Sequence, residues 1–291
     1  MIIAEFCQNH GGLWSICSKM IDEAKRAGVF GCKIQTFFGD DLSAKWMDMP
    51  DKYDYYKGAE LTFSNQAAFV EKCKAFGLVP ITSVYSSKYL KMLKEIGFLY
   101  IKIGSADALN SSLISDCVDI GFKPMVSLNS YSFDKFEYID GIHALFYCVS
   151  IYPTPFDSFD FRMFQKMREK FPVPHIGFSD HSDSAGGETF SNAASRIALE
   201  VGVDYIERHF TTRPKEGVKD GRVSLYPYQM EDLCRYEREV IKKRSKYFEV
   251  VEKEKIVMLQ YGQRWAKPGE EVVIKNKGNV FGHLNKIGKD L

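Results

Sequence analysis

The sequence lacks an excess of charge of either sign, because 39 lysines and arginines stand against 38 aspartates and glutamates, for a formal net charge of +1. No long-range field therefore favours DNA, RNA or an anionic membrane, and an anionic ligand would need a local binding site. An apolar run of the roughly 20 residues that span a bilayer is also missing, and from the start at Met1-Ile-Ile-Ala-Glu5 we expect no signal peptide. We expect no nucleic-acid partner and no membrane partner.

A C-x-x-C pair is absent as well, and the seven cysteines are scattered and odd in number. This pattern disfavours a disulfide framework and a zinc knot. It indicates reduced thiols in a cytoplasmic protein.

A short apolar run followed by an amphipathic helical stretch repeats through most of the sequence. Eight such units, spaced a few tens of residues apart, are typical of a (β/α)8 TIM barrel. The main rival is an open doubly wound sheet, which usually has fewer strands and a glycine-rich first turn, and the sequence has no such turn. The predicted strands are Ile2–Phe6, Gly31–Phe37, Val79–Tyr85, Tyr100–Ser105, Pro124–Asn129, Ala144–Ser150, His175–His181 and Tyr205–Phe210.

Residues 1–248 are assigned to the barrel and residues 249–291 to a short C-terminal appendage. The last barrel helix is predicted near Tyr228–Arg244, and Ser64 is predicted to cap the helix Asn65–Phe76. The appendage is too short for an ordinary independent domain. Its one clear strand signal is Glu271–Ile274, so we expect a tail packed on the barrel, with a hairpin as one form.

Polar side chains recur on one face of the predicted strands, toward their C-terminal halves. Because side chains alternate along a strand, Lys33 shares a face with Gln35, and Glu5 shares a face with Ile3. A barrel interior normally packs branched apolar residues, and a buried unpaired charge costs several kcal/mol. One interpretation is an internal salt-bridged core of Glu5, Lys33 and Lys102. The other is an active site at the C-terminal end of the barrel, where TIM-barrel enzymes work.

Two histidines, His181 and His209, end adjacent predicted strands. Beside Asp180, Glu5 and Glu207 they form a set that suits Mn²⁺, Mg²⁺ or Zn²⁺. No cysteine joins this set convincingly, so a thiolate site is disfavoured.

Two lysines, Lys33 and Lys102, form a set with serines from several predicted strands. Such a set suits a phosphate and a carboxylate, because ammonium groups neutralise the anion and hydroxyls complete its shell. The serines are Ser83, Ser105, Ser127 and Ser179. A Schiff-base aldolase, with one lysine as nucleophile, is the leading chemical alternative.

Six short segments carry a family resemblance between residue 1 and about residue 245. They are Ala4-Glu5-x-x-x-Asn9-His10-x-Gly12, Lys33-Ile-Gln35-Thr36, Tyr100-Ile-Lys102-Ile-Gly104-Ser105, Tyr147-Cys148-Val-Ser-Ile-Tyr152-Pro153-Thr154-Pro155, Gly177-Phe-Ser179-Asp180-His181 and Ile206-Glu207-Arg208-His209-Phe210-Thr211. With these segments the sequence resembles the N-acetylneuraminate (sialic acid) synthase family. The resemblance implies a barrel enzyme of surface-carbohydrate biosynthesis that condenses phosphoenolpyruvate with an aldose or amino sugar, yielding a 3-deoxy-2-ulosonic acid and phosphate.

The resemblance also implies a role for each matching position. A divalent metal ion, Mn²⁺ or Mg²⁺, would be bound by His181 and His209. Phosphoenolpyruvate would be bound by Lys33, Ser83, Lys102, Ser105, Ser127, Ser150 and Ser179. The sugar would contact Gln35, Asp107, Tyr152 and Asp220, and Glu5 and Asp220 would transfer protons.

The sequence departs from the family around the sugar. Asp107 replaces a frequent glutamate, and the common Arg-Pro-Gly-Pro-Asp becomes Glu216-Gly-Val-Lys-Asp220. Only Arg264–Ile274 resembles the start of the family's C-terminal antifreeze-like domain. We therefore expect a sugar that lacks the N-acetyl group or carries it differently, or else a separate capping protein. The family resemblance itself implies a homodimer. The alternatives are a sugar-phosphate 3-deoxy-ulosonate synthase, a lysine-dependent pyruvate aldolase and a non-catalytic sugar-binding scaffold barrel.

Overall fold

The computed structural model describes residues 1–43, 47–185 and 191–262. Its parallel strands are β1 (Ile2–Glu5), β2 (Gly31–Gln35), β3 (Val79–Ser83), β4 (Tyr100–Ile103), β5 (Lys123–Leu128), β6 (Ala144–Cys148), β7 (His175–Asp180) and β8 (Tyr205–His209). Each strand pairs with the next, and β8 pairs with β1, so the sheet closes into a barrel in sequence order. The predicted (β/α)8 fold is confirmed, with all eight predicted strands present.

Helices alternate with the strands along the chain. They are α1 (Trp14–Ala27), α2 (Pro50–Ala59), α3 (Phe63–Ala75), α4 (Leu90–Ile96), α5 (Ser111–Asp119), α6 (Ser130–Phe133), α7 (Met163–Lys170), α8 (Ala193–Val201) and α9 (Pro227–Gly262). In α1 the residues Cys17, Met20, Ile21 and Ala24 are fully buried on one face, as an amphipathic helix on a sheet requires. Gly28 ends α1 with a φ of 88°, a left-handed conformation that glycine adopts without steric cost.

Helix α3 begins two residues earlier than the sequence pattern predicts. The hydroxyl of Thr62 accepts a hydrogen bond from the backbone N–H of Asn65 at 3.2 Å, so the predicted cap at Ser64 is wrong. The ring of Phe63 packs against those of Phe38 and Tyr89, with centroids 4.8 and 5.4 Å away. This packing draws Phe63 into the first turn and moves the cap back.

The barrel interior has two tiers of different character. The lower tier, toward the N-terminal ends of the strands, is an apolar cluster of Ile3, Ile81, Met125, Ala144, Phe146 and Tyr205. Two residues further along the strands, the same face carries Glu5, Ser83, Ser127, Cys148 and Glu207. Because alternate residues share a face, the barrel is a packed core below and a polar chamber above. The larger apolar core lies between the strands and the helices.

Helix α9 continues well beyond the predicted end at Arg244, to Gly262. The added residues, 245–262, belong to the stretch that the sequence analysis divided between the end of the barrel and the tail. They are rich in glutamate and lysine, which favour helix, and Glu249 and Lys253 stand four residues apart, the spacing of a stabilising pair.

The contacts of the chain divide it into two compact units, Met1–Val240 and Ile241–Leu291. The first contains the whole barrel. Of the second, the structure describes residues 241–262, which belong to α9. The predicted strand Glu271–Ile274 lies outside the described residues. Within the described ranges, no helix combines the length and the apolar character that a membrane span requires.

Candidate active site

A cavity of about 940 Å³ opens at the C-terminal end of the barrel, above the polar tier. Its size is at the upper end of ordinary small-molecule sites. The predicted site residues that line it are Glu5, Lys33, Gln35, Ser83, Lys102, Ser105, Asp107, Ser127, Tyr152, Ser179, His181, His209 and Asp220. Ser150 is the one predicted site residue that the structure leaves outside the lining. The strand ends therefore bring thirteen of the fourteen predicted residues to one chamber.

Two lysines and two glutamates form a buried ion cluster at the floor of this cavity. Lys33 Nζ lies 2.6 Å from Glu5 Oε2 and 3.7 Å from Glu207 Oε1, and Lys102 Nζ lies 2.8 Å from Glu207 Oε2. The four side chains are each at most 7% exposed. The salt-bridged core and the cavity lining, which the sequence left as alternatives, are thus the same residues.

Hydroxyl groups extend the cluster. Lys33 Nζ donates to Ser83 Oγ at 2.9 Å, and Lys102 Nζ donates to Ser179 Oγ at 3.0 Å. Ser127 Oγ lies 3.5 Å from Ser179 Oγ. Each lysine therefore has a hydroxyl partner from another strand, which fixes its position in the chamber.

The charges of the cluster depend on one another. Burial opposes ionisation of Glu207, but Lys102 and Lys33 outweigh it and hold the pKa of that carboxyl at about 2. Burial likewise works against the charge of Lys33, yet Glu207 and Glu5 raise its pKa above the ordinary value. Burial lowers the pKa of Lys102, and the neighbouring charge of Lys33 adds to that effect.

Ser150 lies at the rim of the barrel and is exposed. Its hydroxyl is 2.8 Å from that of Ser105, and Asn129 Nδ2 donates to it at 3.0 Å. Ser150 thereby contacts Ser105, which does line the cavity. The geometry places it as a partner of a lining residue.

The two histidines predicted as metal ligands are adjacent at the mouth. Their ring centroids are 5.4 Å apart, and both side chains are buried. Tyr152 stacks on His181 at 4.1 Å, and its hydroxyl lies 2.9 Å from His181 Nε2. His181 Nδ1 donates to the carbonyl of Val149 at 3.4 Å, which leaves the Nε2 lone pair facing Tyr152. Burial first, and His209 second, lower the pKa of His181 to about 3, so the imidazole is neutral, as a ligand must be.

A cysteine stands in this site, contrary to the expectation that no cysteine would join it. Cys7 Sγ lies 2.8 Å from Asp220 Oδ2, and Asp220 Oδ2 lies 3.8 Å from His209 Nδ1. The Cys7 thiol is buried, and burial raises its pKa well above the ordinary value. The strand parity Ile3–Glu5–Cys7 was the signal that could have placed it on the inner face.

Asp180 does not belong to the site. It lies on the outer face of β7, fully buried, with Oδ1 2.7 Å from Arg208 Nη1 and Oδ2 accepting from Ser195 Oγ at 2.6 Å. The expectation that it stands beside the histidines is wrong, because alternation along the strand turns it away from the barrel axis. The carboxylate that sequence reasoning undervalued is Glu207, which bridges both lysines.

Comparison with known proteins gives the chain a family. A profile of the NeuB family matches residues 20–247, more than three quarters of the sequence. The chain belongs to the NeuB family. The resemblance drawn from the six sequence segments is thereby confirmed.

Individual relatives are distant. N-acetylneuraminate-9-phosphate synthase of Drosophila melanogaster is 29% identical over 80% of this chain, and the match spans 65% of that protein. Pseudaminic acid synthase of Campylobacter jejuni is 25% identical over 77% of this chain and 68% of its own length. The solved N-acetylneuraminic acid synthetase of Leptospira borgpetersenii superposes with a TM-score of 0.73, at 25% identity over 83% of each chain.

Proposed function

We propose that this protein condenses phosphoenolpyruvate with an open-chain aldose or amino sugar, giving a sialic-acid-like 3-deoxy-2-ulosonic acid and phosphate. The observation that carries the proposal is the pair of buried ammonium groups, Lys33 and Lys102, which line one cavity with hydroxyls from three other strands. Fixed ammonium and hydroxyl donors in a water-poor site bind a phosphate and a carboxylate tightly. The synthases among its relatives support the same reaction class.

In the proposed reaction, carbon 3 of phosphoenolpyruvate forms a bond to the aldehyde carbon of the sugar, whose oxygen takes up a proton. Water adds to carbon 2 and loses one proton, and the bond between carbon 2 and the phosphate oxygen then breaks as the carbon 2 hydroxyl becomes the ketone and its remaining proton passes to the departing phosphate. Lys33 and Lys102 hold the anionic groups as charge collects on the departing phosphate.

Glu5 is placed to move protons at the reacting atoms. Its Oε2 pairs with Lys33, while its Oε1 accepts from the backbone N–H of Cys7 and from Gln35 Nε2, both at 3.1 Å. These bonds fix the carboxylate at the wall of the cavity, where it can exchange a proton with substrate or water. Asp220, which lies on the other side of Cys7 with Oδ2 2.8 Å from Cys7 Sγ, is the second candidate for proton transfer.

We include a divalent ion, Mn²⁺ or Mg²⁺, bound by His181 and His209. The donor set fits such an ion: His181 is neutral with a fixed tautomer, and His209 Nδ1 is buried without a hydrogen-bond partner. When bound, the ion would polarise the carbonyl oxygen of the sugar aldehyde.

The sugar would lie above the phosphoenolpyruvate, toward the mouth. Gln35, Asp107, Tyr152 and Asp220 line this part of the cavity. Tyr152 is 54% exposed and offers a ring face to the sugar, while burial raises the pKa of Asp107 above its ordinary value. A sugar phosphate would need a second cationic site, and Lys219 at the mouth is the lysine placed to provide one.

The deciding experiment incubates the protein with Mn²⁺, phosphoenolpyruvate and a panel of hexoses, hexosamines, their N-acetyl forms and their phosphates, and measures phosphate. We expect phosphate release that requires one class of sugar and stops with EDTA. Phosphate released equally without any sugar would contradict the proposal, and so would ligand binding with no phosphate release from any sugar, which would favour a scaffold barrel.

A lysine-dependent pyruvate aldolase is the second candidate, because burial lowers the pKa of Lys102 and thereby increases the unprotonated fraction of its amine, which is the nucleophilic form. Borohydride added with pyruvate separates the two. An aldolase would gain one reduced pyruvyl adduct on Lys102 by mass spectrometry and would work in EDTA. The proposed synthase gains no adduct.

A further inference from the structure

We propose that Cys7 binds the divalent ion of this site as a thiolate, together with His209 and Asp220, so that the site prefers Zn²⁺ or Co²⁺ to Mg²⁺. This inference deepens the proposed function by specifying its metal centre. The inference takes from the proposed function only that a divalent ion binds in this site. Its test measures metal binding and does not require turnover.

Three elements bring the ligand atoms together. Cys7 follows β1, His209 ends β8, and Asp220 lies in the loop after β8, immediately before the 3-10 turn Gly221–Val223. One ligand atom from each lies within 4.8 Å of the other two. Tetrahedral coordination with bond lengths of about 2.0–2.3 Å separates ligands by roughly 3.5 Å, so small side-chain rotations suffice.

A second observation points to a cation in this cluster. His209 is 5% exposed, and its buried Nδ1 has no hydrogen-bond partner, although Asp220 Oδ2 lies 3.8 Å away. Buried ring nitrogens are normally paired, because leaving one unpaired costs about 1–3 kcal/mol. Coordination would satisfy the His209 ring.

The Cys7 thiol has more hydrogen-bond acceptors around it than it has protons to donate. Its sulfur lies 2.8 Å from Asp220 Oδ2 and 2.8 Å from Gln8 Oε1, and a thiol has one proton to donate. The one thiol proton cannot serve both oxygens at once, while Gln35 Nε2 also donates to the sulfur at 3.3 Å. A cation bound to the sulfur and the carboxylate resolves this surplus of lone pairs.

The ligand types set the metal preference. Thiolate, imidazole and carboxylate together suit borderline ions such as Zn²⁺ and Co²⁺, whereas Mg²⁺ requires oxygen ligands. Binding converts the Cys7 thiol to a thiolate and releases its proton to solvent. With Asp220 as a ligand, proton transfer in the reaction falls to Glu5.

The test is a Co²⁺ titration of the metal-free full-length chain, followed by absorption spectroscopy. We expect a sulfur-to-cobalt charge-transfer band in the near ultraviolet that saturates at one Co²⁺ per chain. Zn²⁺ should abolish the band in competition, and Mg²⁺ should not. No band in the wild-type chain overturns the proposal, whatever the activity.

Cys148→Ser is the matched control for Cys7→Ser, because both cysteines are buried in the lining of the cavity. We expect Cys148→Ser to keep the band. Cys7→Ser should lose it, and its Zn²⁺ affinity should fall by at least about 10–100-fold. A band that persists in Cys7→Ser overturns the proposal.

Asp220→Asn is a further variant that stands in if Cys7→Ser does not fold by circular dichroism. It should weaken Co²⁺ binding while keeping the sulfur band, and an unchanged affinity would overturn the ligand set. A band without sugar-dependent phosphate release would leave the metal centre standing while the proposed reaction fails. Metal-dependent phosphate release without a band would support the proposed reaction and overturn the proposed thiolate ligand.

Discussion

Lys33 and Lys102 share the barrel interior with two glutamates, so the cluster has no net charge before a ligand enters. Every ion pair in the cluster is almost completely shielded from solvent. A charge that lost its partner there would destabilise the fold by several kcal/mol. The ammonium groups can therefore bind an anion only by turning part of their interaction from Glu5 and Glu207 to the ligand. Their serine partners limit that movement.

Lys102→Met removes one of the two ammonium groups and keeps the bulk of the side chain. We expect the Kd for phosphoenolpyruvate to rise by about 10–100-fold, because a hydrogen bond between charged groups contributes about 1.5–3 kcal/mol. Isothermal titration calorimetry measures this. Lys123→Met, at the exposed start of β5, is the control and should bind like the wild type. Equal losses in both variants would contradict the assignment.

His10 makes stability depend on pH. Burial lowers its pKa to about 4 from an ordinary value of 6.5, so below pH 6.5 the unfolded chain takes up a proton that the folded chain does not. The free energy of unfolding therefore decreases as pH falls from 6.5 toward about 4, by about 1.4 kcal/mol per pH unit.

His10→Gln should remove this contribution and give a shallower fall in the free energy of unfolding across the same pH range. Urea unfolding at several pH values measures both slopes. His143 and His181, whose pKa values burial also lowers, keep part of the dependence in the variant. Parallel curves for the two proteins would show that His10 does not carry the effect.

At the scale of elements, sequence patterning predicted where strands lie better than where they end. The predicted strands continued to Phe37, Tyr85 and Ser150, whereas β2, β3 and β6 end two residues earlier. Apolar and hydroxyl residues there continue the alternating pattern, but the chain has already left the ladder to form the loops around the mouth. Alternation of side-chain character shows which residues share one face of a strand. A loop that follows the strand can continue this alternation without the backbone hydrogen bonds of the sheet.

Cys7 escaped prediction for a related reason. The backbone reverses just after β1, and Cys7 has a φ of 45°, the only positive φ at a non-glycine among the described residues. Local propensity does not predict such a conformation, which tertiary contacts must stabilise. Its neighbours His209 and Asp220 are more than 200 positions away, so no spacing in the sequence links them.

The loop that carries Asp220 depends on Gly221. A Cβ there would lie 1.9 Å from the carbonyl oxygen of Lys215, so Gly221→Ala must displace the loop. We expect kcat/KM to fall by about 100-fold for a shift of about 1 Å at Asp220, with little change in Tm. Gly217→Ala, in the same loop but with no atom within 4 Å of its Cβ, is the control. Equal kcat/KM values for the two variants would show that the position of this loop does not affect catalysis.

At the scale of the molecule, every residue of the proposed site lies between Glu5 and Asp220, inside the unit Met1–Val240. The strands contribute different groups to the cavity: β2 and β4 carry the two lysines, β3, β5 and β7 carry hydroxyls, and the proposed metal ligands Cys7 and His209 lie at the ends of β1 and β8. Closure of β8 onto β1 brings Glu5 beside His209 in the register. The proposed metal site therefore requires the pairing of the first and last strands.

Phosphoenolpyruvate binding should therefore be a property of the barrel unit. At a ligand concentration 100 times Kd, the folded state gains about 2.7 kcal/mol, which raises Tm by about 5–10 °C for a chain of this size. We expect the same rise in the full chain and in a chain of residues 1–248, and at most about half of that rise in either chain with Lys102→Met, because its Kd is about 10–100-fold higher at the same ligand concentration. Differential scanning fluorimetry measures the change in Tm for the two chain lengths, each with and without Lys102→Met. A rise confined to the full chain would mean that residues beyond 248 complete the phosphoenolpyruvate site, because both chains contain every lining group named above.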